Sequence, residues 1–276
     1  MKSTKLNTLM FIVFTVIATP LSSFAQTEGA LAKLAQNPVA NLYSFPFQNN
    51  TNWAFGPFER PLNVLNIQPV IPIPLGEKVN LINRIILPVI TVPSFIEESS
   101  TTGIGDVLYT ALLSPAKASK VIWGAGFAAQ LPTASDDEFG SGEFGIGPSL
   151  VVLTMFNQWV IGAITNNVWT FGEVEENKFL VNPFVNYNFP KWYLTTAPII
   201  TANWNSDNDQ RWLVPVGLGL GKIFKLGGKL PLNMNAHVYY NAIKPEVYGD
   251  IETRFTMQFM LPSKRLREQL KQQAGN

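Results

Sequence analysis

Cysteine is absent from the chain and histidine occurs once, at His237. Such a sequence can build no disulfide framework, no thiolate zinc site and no thiol nucleophile. A metal held by several histidines is excluded for the same reason. Charge is scarce as well: Asp, Glu, Lys and Arg make up 14% of the 276 residues, against roughly 25% in an ordinary soluble domain. The 20 basic residues nearly cancel the 19 acidic ones, so no basic face is available for nucleic acid. With 46% apolar and 12% aromatic residues, the chain is too hydrophobic to stay disordered.

One apolar run stands apart, at the start. Lys2 and Lys5 precede the apolar stretch Leu9–Ala18, and Ser23 and Ala25 are small residues at the −3 and −1 positions. This is the layout of a secretory leader, with cleavage expected before Gln26. The run is shorter than the roughly 20 residues of a spanning helix, which argues against a retained anchor.

Beyond a short helical stretch at Gly29–Gln36, the dominant period is two, the period of a strand. In Leu42–Phe55, residues Tyr43, Phe45, Phe47, Trp53 and Phe55 share one phase, and Ser44, Gln48, Asn50 and Asn52 the other. The same alternation runs through Lys120–Leu131, Lys178–Phe189, Arg211–Gly221, Leu232–Ala242 and Ile251–Leu261. Six further runs, Asn63–Ile73, Val79–Thr91, Ile104–Ser114, Glu143–Thr154, Gln158–Phe171 and Trp192–Trp204, are apolar in both phases and leave their facing open. Strands of soluble proteins peak near 5–6 residues, whereas tilted membrane strands need about 9–11. These runs have the membrane length. Pro69, Pro88, Pro148, Pro183, Pro198 and Pro215 fall inside them. Proline has no N–H to give a ladder, so bulges, kinks or local breaks are expected there.

The connections alternate too. Acidic loops (Glu97–Glu98, Asp136–Glu138, Glu173–Glu176, Asp207–Asp209, Glu246–Asp250) are interleaved with short turns, most of which carry Lys. Long outer loops and short inner turns are the asymmetry of an outer-membrane barrel. Counting traverses on this basis predicts an all-β, antiparallel up-and-down transmembrane barrel of twelve strands with both termini in the periplasm. Its expected parts are a leader over 1–25, a periplasmic segment with a short helix over 26–41, the barrel over 42–262 and a basic tail over 263–276. In the tail, Ser263 is a candidate helix cap and Lys264, Arg265, Arg267 and Lys271 outnumber Glu268. The bland reading of that run is a solvated face. The functional one is contact with a periplasmic partner or anionic head groups.

Several segments resemble a bacterial family of outer-membrane transporters, grouped with the MetA-pathway of phenol degradation proteins and often mislabelled neuromedin U. They are Ala35–Asn50, Asn63–Pro72, the Gly-Ile-Gly-Asp at Gly103–Asp106, Leu131–Asp137, Phe184–Asn188 and Pro198–Trp204. The resemblance implies a β-barrel linked to uptake of aromatic or hydrophobic compounds. It carries over no catalytic residue. The chain departs from the family at Gly142-Glu143-Phe144, where a Gly-Lys-Trp-like sequence is expected.

The candidate lumen face holds Arg211, Glu252, Arg254, His237, Asn182, Asn186, Asn233 and Asn235, a polar wall suited to a water-filled or narrow passage. The alternative is that these side chains pair with one another and close it. Trp123, Trp159, Trp192, Trp204, Trp212, Tyr240 and Phe259 suit interfacial girdles, where amphipathic rings sit at head-group level. Asp136, Asp137, Glu138, Asp207 and Asp209 are candidates for loose cation binding, although neither acidic loop completes a calcium-loop motif. His237 invites a membrane-embedded phospholipid hydrolase, but no Gly-x-Ser-x-Gly elbow accompanies it. Gly217, Gly219 and Gly221 mimic a dinucleotide fingerprint, yet their two-residue spacing marks them as an uncrowded inner face. The expected function is passive passage of small solutes through the outer membrane, without bond chemistry, cofactor or metal. The expected partners are outer-membrane lipid and lipopolysaccharide, the barrel assembly machinery and the solute, with no nucleic acid.

Overall fold

A computed structural model describes residues 28–262, apart from 118, 228 and 229. The leader and the basic tail lie outside the described residues. Helix α1 (Glu28–Ala35) precedes fifteen strands. These are β1 (Leu42–Phe55), β2 (Arg60–Ile67), β3 (Val70–Leu75), β4 (Val79–Pro93), β5 (Ser100–Ile104), β6 (Val107–Pro115), β7 (Val121–Leu131) and β8 (Gly145–Phe156). They continue as β9 (Trp159–Thr170), β10 (Asn177–Asn188), β11 (Tyr193–Thr196), β12 (Ile200–Asn203), β13 (Trp212–Leu226), β14 (Leu230–Ile243) and β15 (Ile251–Pro262). The pairs β2/β3, β5/β6 and β11/β12 are each one traverse broken in the middle. Fifteen pieces therefore make twelve antiparallel traverses, closed into a barrel by pairing of β1 with β15 and of β9 with β10. Closure leaves no open edge, which hydrocarbon could not satisfy.

Each of the six prolines sits where the ladder gives way. Pro69 and Pro198 lie in the gaps between β2 and β3 and between β11 and β12. Pro88 faces the gap between β5 and β6, and Gly105 N–H donates to its carbonyl at 2.9 Å. Pro183 faces the β11/β12 gap, since β10 pairs β12 only up to Val181 and β11 only from Val185. The β8–β9 register skips Gly147 and Pro148. At Pro215 the β13–β14 register shifts. At these six positions a missing donor thus accompanies the break or shift of the ladder.

Alternation sorts the side chains. Along β1, Tyr43 and Phe45 are exposed outward while Leu42 and Ser44 are buried inward. Phe55 departs from its expected phase. Ala54 adopts a positive φ of 58° and the β1–β2 register shifts between Asn52 and Phe55. This bulge turns the ring inward against Phe95 and Tyr248. Outward polar groups satisfy one another. Asn63 Nδ2 donates to Asn49 Oδ1 at 3.0 Å and Thr51 Oγ1 at 2.8 Å, and Trp53 Nε1 donates to Thr253 Oγ1 at 3.0 Å.

The outside is apolar to a degree water does not tolerate in a monomer. Val216, Leu218, Leu220 and Val238 are each more than half exposed. Leu218 lies mid-strand on β13, so Leu218→Arg is expected to destabilise the barrel in vesicles by about 2–4 kcal/mol. Urea titration of the vesicle-inserted protein checks this, and an unchanged midpoint would contradict a hydrocarbon-facing exterior.

Inside, the two halves differ. Ile82, Leu112, Val151, Leu153, Val160, Ile164 and Phe184 form an apolar cluster from β4 round to β10. The wall from β10 round to β1 is polar, with Asn186, Asn233, His237, Arg254 and Thr256 buried. An eight-stranded barrel is just filled by its own side chains, so twelve strands leave space. The segment 28–41 takes part of it.

Candidate functional site

The segment 28–41 packs into the barrel mouth at the rim that carries the short turns. Leu31 and Ala32 of α1 join Ala40, Leu42, Tyr193, Ile223 and Met260 in one cluster. Val39 reaches further, into the apolar half-core, 3.1 Å from the point where a Cβ on Gly124 would stand. Polar ties hold the segment as well. Gln36 and Asn188 exchange side-chain hydrogen bonds of 3.0 Å in both directions. Lys33 Nζ donates to the carbonyl of Asn157 at 2.5 Å.

Above this floor lies a cavity of about 210 Å³. Asn182, Asn186, Asn233, Asn235, His237 and Arg254 line it, together with Arg84, Gln68, Tyr193 and Thr195. Glu252 stands behind Arg254, with Oε1 2.9 Å from Nη2, and both side chains are almost wholly buried. Arg211 lies elsewhere. It lines a second cavity of about 400 Å³ toward the other rim, with Gln130, Asn166, Lys178 and Tyr248. Arg211 Nη2 donates to Ser206 O at 3.2 Å and its guanidinium sits over the Trp204 ring. Tyr248 belongs to the loop after β14. Burial, reinforced by Glu252, pushes its phenol above the usual range.

Between β11 and β12 the chain kinks at residues 197–199 and is pinned from both sides. Asn182 Nδ2 donates to Ala197 O at 2.9 Å and Pro198 O at 2.8 Å. From β15, Arg254 Nη1 donates to Ala197 O at 2.6 Å. Ala197 N–H donates to Tyr239 Oη at 3.3 Å. The guanidinium is itself fixed by Asn50 Oδ1 at 2.7 Å and lies over the Tyr239 ring. Arg254 therefore ties β1, β15 and the β11/β12 kink together within the lumen.

His237 shows no hydrolytic arrangement. Its Nε2 is 3.5 Å from Thr195 Oγ1, while Nδ1 is buried with no hydrogen-bond partner among the described residues. The ring stacks on Tyr239. A triad needs a nucleophile in reach and a third group orienting the base, and the third group is missing. Gly217, Gly219 and Gly221 do not form the uncrowded face expected of them. A Cβ on Gly219 would stand 2.3 Å from the His237 ring, and one on Gly221 2.1 Å from the Tyr193 ring. The glycines clear space into which inward rings fold.

Trp204 and Trp212 meet edge-to-face at 5.4 Å and both contact Phe179, toward the long-loop rim. Trp159, Tyr187, Phe189 and Trp192 form a chain of ring contacts at the short-turn rim. Trp123 near the start of β7, Tyr240 near the end of β14 and Phe259 near the end of β15 also lie close to strand ends. Of the acidic loop residues, Glu138 accepts a hydrogen bond from Thr101 Oγ1 at 2.7 Å and Asp209 accepts one from Gln210. Asp136 and Asp137 share the loop of Glu138, and Asp207 that of Asp209. No group of three or more His, Asp or Glu able to hold a metal occurs among the described residues.

Sequence reasoning missed Arg84, Gln68, Tyr239 and Asp106. Arg84 lies in a run that is apolar in both phases, so its facing was not legible. Asp106 takes up the backbone N–H groups of Thr133, Ala134 and Gly142 at 3.0–3.1 Å, folding the loop after β7 back on the barrel. It is the acid of the Gly103–Asp106 stretch.

No family model matches the sequence, and no curated protein does. Solved structures do. The barrel has the fold of an outer-membrane channel. That channel, from Pseudomonas putida F1, superposes with a TM-score of 0.58 at 16% identity, covering 80% of this chain and 94% of the channel. A NanC porin follows at 0.49 and 6% identity, covering 79% of this chain and 98% of the porin. The outer membrane phospholipase of Salmonella typhi scores 0.40 at 14% identity, over 86% of this chain and 98% of the enzyme.

Proposed function

We propose that this chain is an outer-membrane channel for the passive passage of small solutes, favouring those with an aromatic or hydrophobic body. The observation that carries the reading is the division of the barrel: an apolar outside, and inside it two cavities lined by polar and apolar side chains together, with the pinned kink at Ala197 in the wall of one of them. Hydrocarbon suits the first and a passing solute the second. The apolar half-core beside the polar wall supports a solute with a greasy side. The reading extends to an exported protein cleaved near Ala25, inserted by the barrel assembly machinery and bathed in outer-membrane lipid and lipopolysaccharide. It agrees with the resemblance to the phenol-degradation MetA-pathway family. The short-turn rim, where the described residues begin and end, is then periplasmic, and the segment 28–41 becomes the inner floor of the passage.

That floor favours a second reading, a barrel whose lumen stays shut. Planar-bilayer recording of the mature protein decides between them. Discrete openings, with swelling of loaded liposomes by small solutes, are expected. A silent bilayer with no solute flux would leave the closed barrel. A hydrolase is disfavoured because His237 is sealed inside the lumen, away from lipid. A His237→Ala variant is expected to leave phospholipid turnover at background in both proteins.

A further inference from the structure

The charged side chains that line the two cavities are all basic. The cavity above the floor has two charged side chains in its lining, Arg84 and Arg254, and no carboxylate. The outer cavity has Lys178 and Arg211, again with no carboxylate. Arg254 is neutralised by Glu252, and Lys178 by Glu176 at 2.6 Å. Arg84 and Arg211 have no ion-pair partner among the described residues.

Arg84 is the better placed of the two. It comes from β4 opposite Val70 and Thr110 on the inward face. Its Nη2 donates to Gln68 Oε1 at 2.5 Å, its one hydrogen bond among the described residues. Gln68 sits in the gap between β2 and β3, buried, with its own N–H donating to Pro46 O at 2.8 Å. The break at Pro69 thus delivers an amide that orients the guanidinium and leaves most of its donors unused. A guanidinium in a low-dielectric cavity without a counter-ion attracts a planar anion strongly, since carboxylate can take two of its N–H groups at once. The same cavity offers an apolar wall in Val70, Ile164 and Phe184.

We propose that Arg84 forms a binding site for small organic monoanions, a carboxylate on a compact aromatic or short alkyl body. The carboxylate engages the guanidinium and the body lies against the Ile164–Phe184 wall. The volume admits one such molecule. As a station on a route this rests on the channel reading. As a binding site it stands without it.

Equilibrium dialysis of radiolabelled benzoate and, separately, benzyl alcohol against the detergent-solubilised mature protein tests the proposal. The wild type is expected to hold benzoate about tenfold or more tighter than the uncharged alcohol. Arg84→Gln is expected to bring the two to parity, and Arg84→Lys to keep part of the preference. Thr110→Asp sets a carboxylate beside the guanidinium and is expected to abolish benzoate binding with Arg84 still present. Shifted migration of the unheated protein on gels reports that each variant is folded. If Arg84→Gln does not fold, Arg84→Lys and Thr110→Asp carry the decision. Equal affinities for the two probes in the wild type, or a preference that survives both Arg84→Gln and Thr110→Asp, overturns the site. Because dialysis needs no conduction, a silent bilayer with selective benzoate binding defeats the channel alone. Conduction without benzoate preference defeats the site alone.

Discussion

Replacing Val39 with aspartate is expected to open the barrel. Single-channel conductance should rise several-fold over the wild type, and the segment 28–41 should become cleavable by added protease in intact proteoliposomes. Val39 is 5% exposed and packs with Ile82, Leu112, Val151 and Leu153. Its burial is worth about 1.5–3 kcal/mol, whereas an unpaired carboxylate in that pocket costs several kcal/mol. The strand residues that line the pocket belong to hydrogen-bonded ladders and cannot leave. The segment can, because it joins the barrel by side chains: the α1 cluster, the Gln36–Asn188 exchange and the Lys33 contact. Relief therefore comes by expelling the segment while the barrel keeps its gel shift. A variant with unchanged conductance and a protected segment would show that the floor is not what limits passage.

The strand period carried the architecture because it is a local signal with one physical cause. A traverse in lipid must show grease every second residue, and twelve such runs were visible with the proline interruptions already in them. What lay inside was less legible. On β14 the alternation assigned Asn233, Asn235 and His237 to one phase. It did not reveal that Tyr239 shares that phase, since a tyrosine reads as outward grease. Arg84 was hidden for the opposite reason: its neighbours Ile82 and Ile86 face inward with it, so the phase carried no contrast. Phe55 was misplaced by a single residue of positive φ at Ala54, a position where nothing but glycine advertises that geometry. The floor was out of reach altogether. Eight helical residues can be recognised from their spacing, but nothing local says that they lie within a mouth formed by strands as distant in sequence as β15.

Removing the Arg254 side chain is expected to cost the barrel about 3–5 kcal/mol, the largest single loss among its lumen residues. In Arg254→Met the Glu252 carboxylate, 8% exposed, is left in the wall without its cation. Asn50 Oδ1 and Ala197 O lose the donors that reached them at 2.7 and 2.6 Å. The double variant Glu252→Gln with Arg254→Met removes the stranded charge and is expected to recover most of the loss, because a buried ion pair contributes little beyond a neutral substitute of similar size. Urea titration of the three proteins in vesicles measures both steps, and equal midpoints for the single and double variants would contradict the charge argument. Conductance separates stability from gating. The double variant still lacks the tie from β15 to the kink at Ala197, so it should be stable yet noisier than the wild type, with brief openings where the pinned kink was steady. The Asn182 bonds to Ala197 and Pro198 remain in that variant. Adding Asn182→Leu should then release the kink and raise the conductance further. An arginine that a sequence would place simply on a polar wall is thereby assigned two separable jobs, neutralising Glu252 and tying the kink at Ala197 to β15, three traverses away round the barrel.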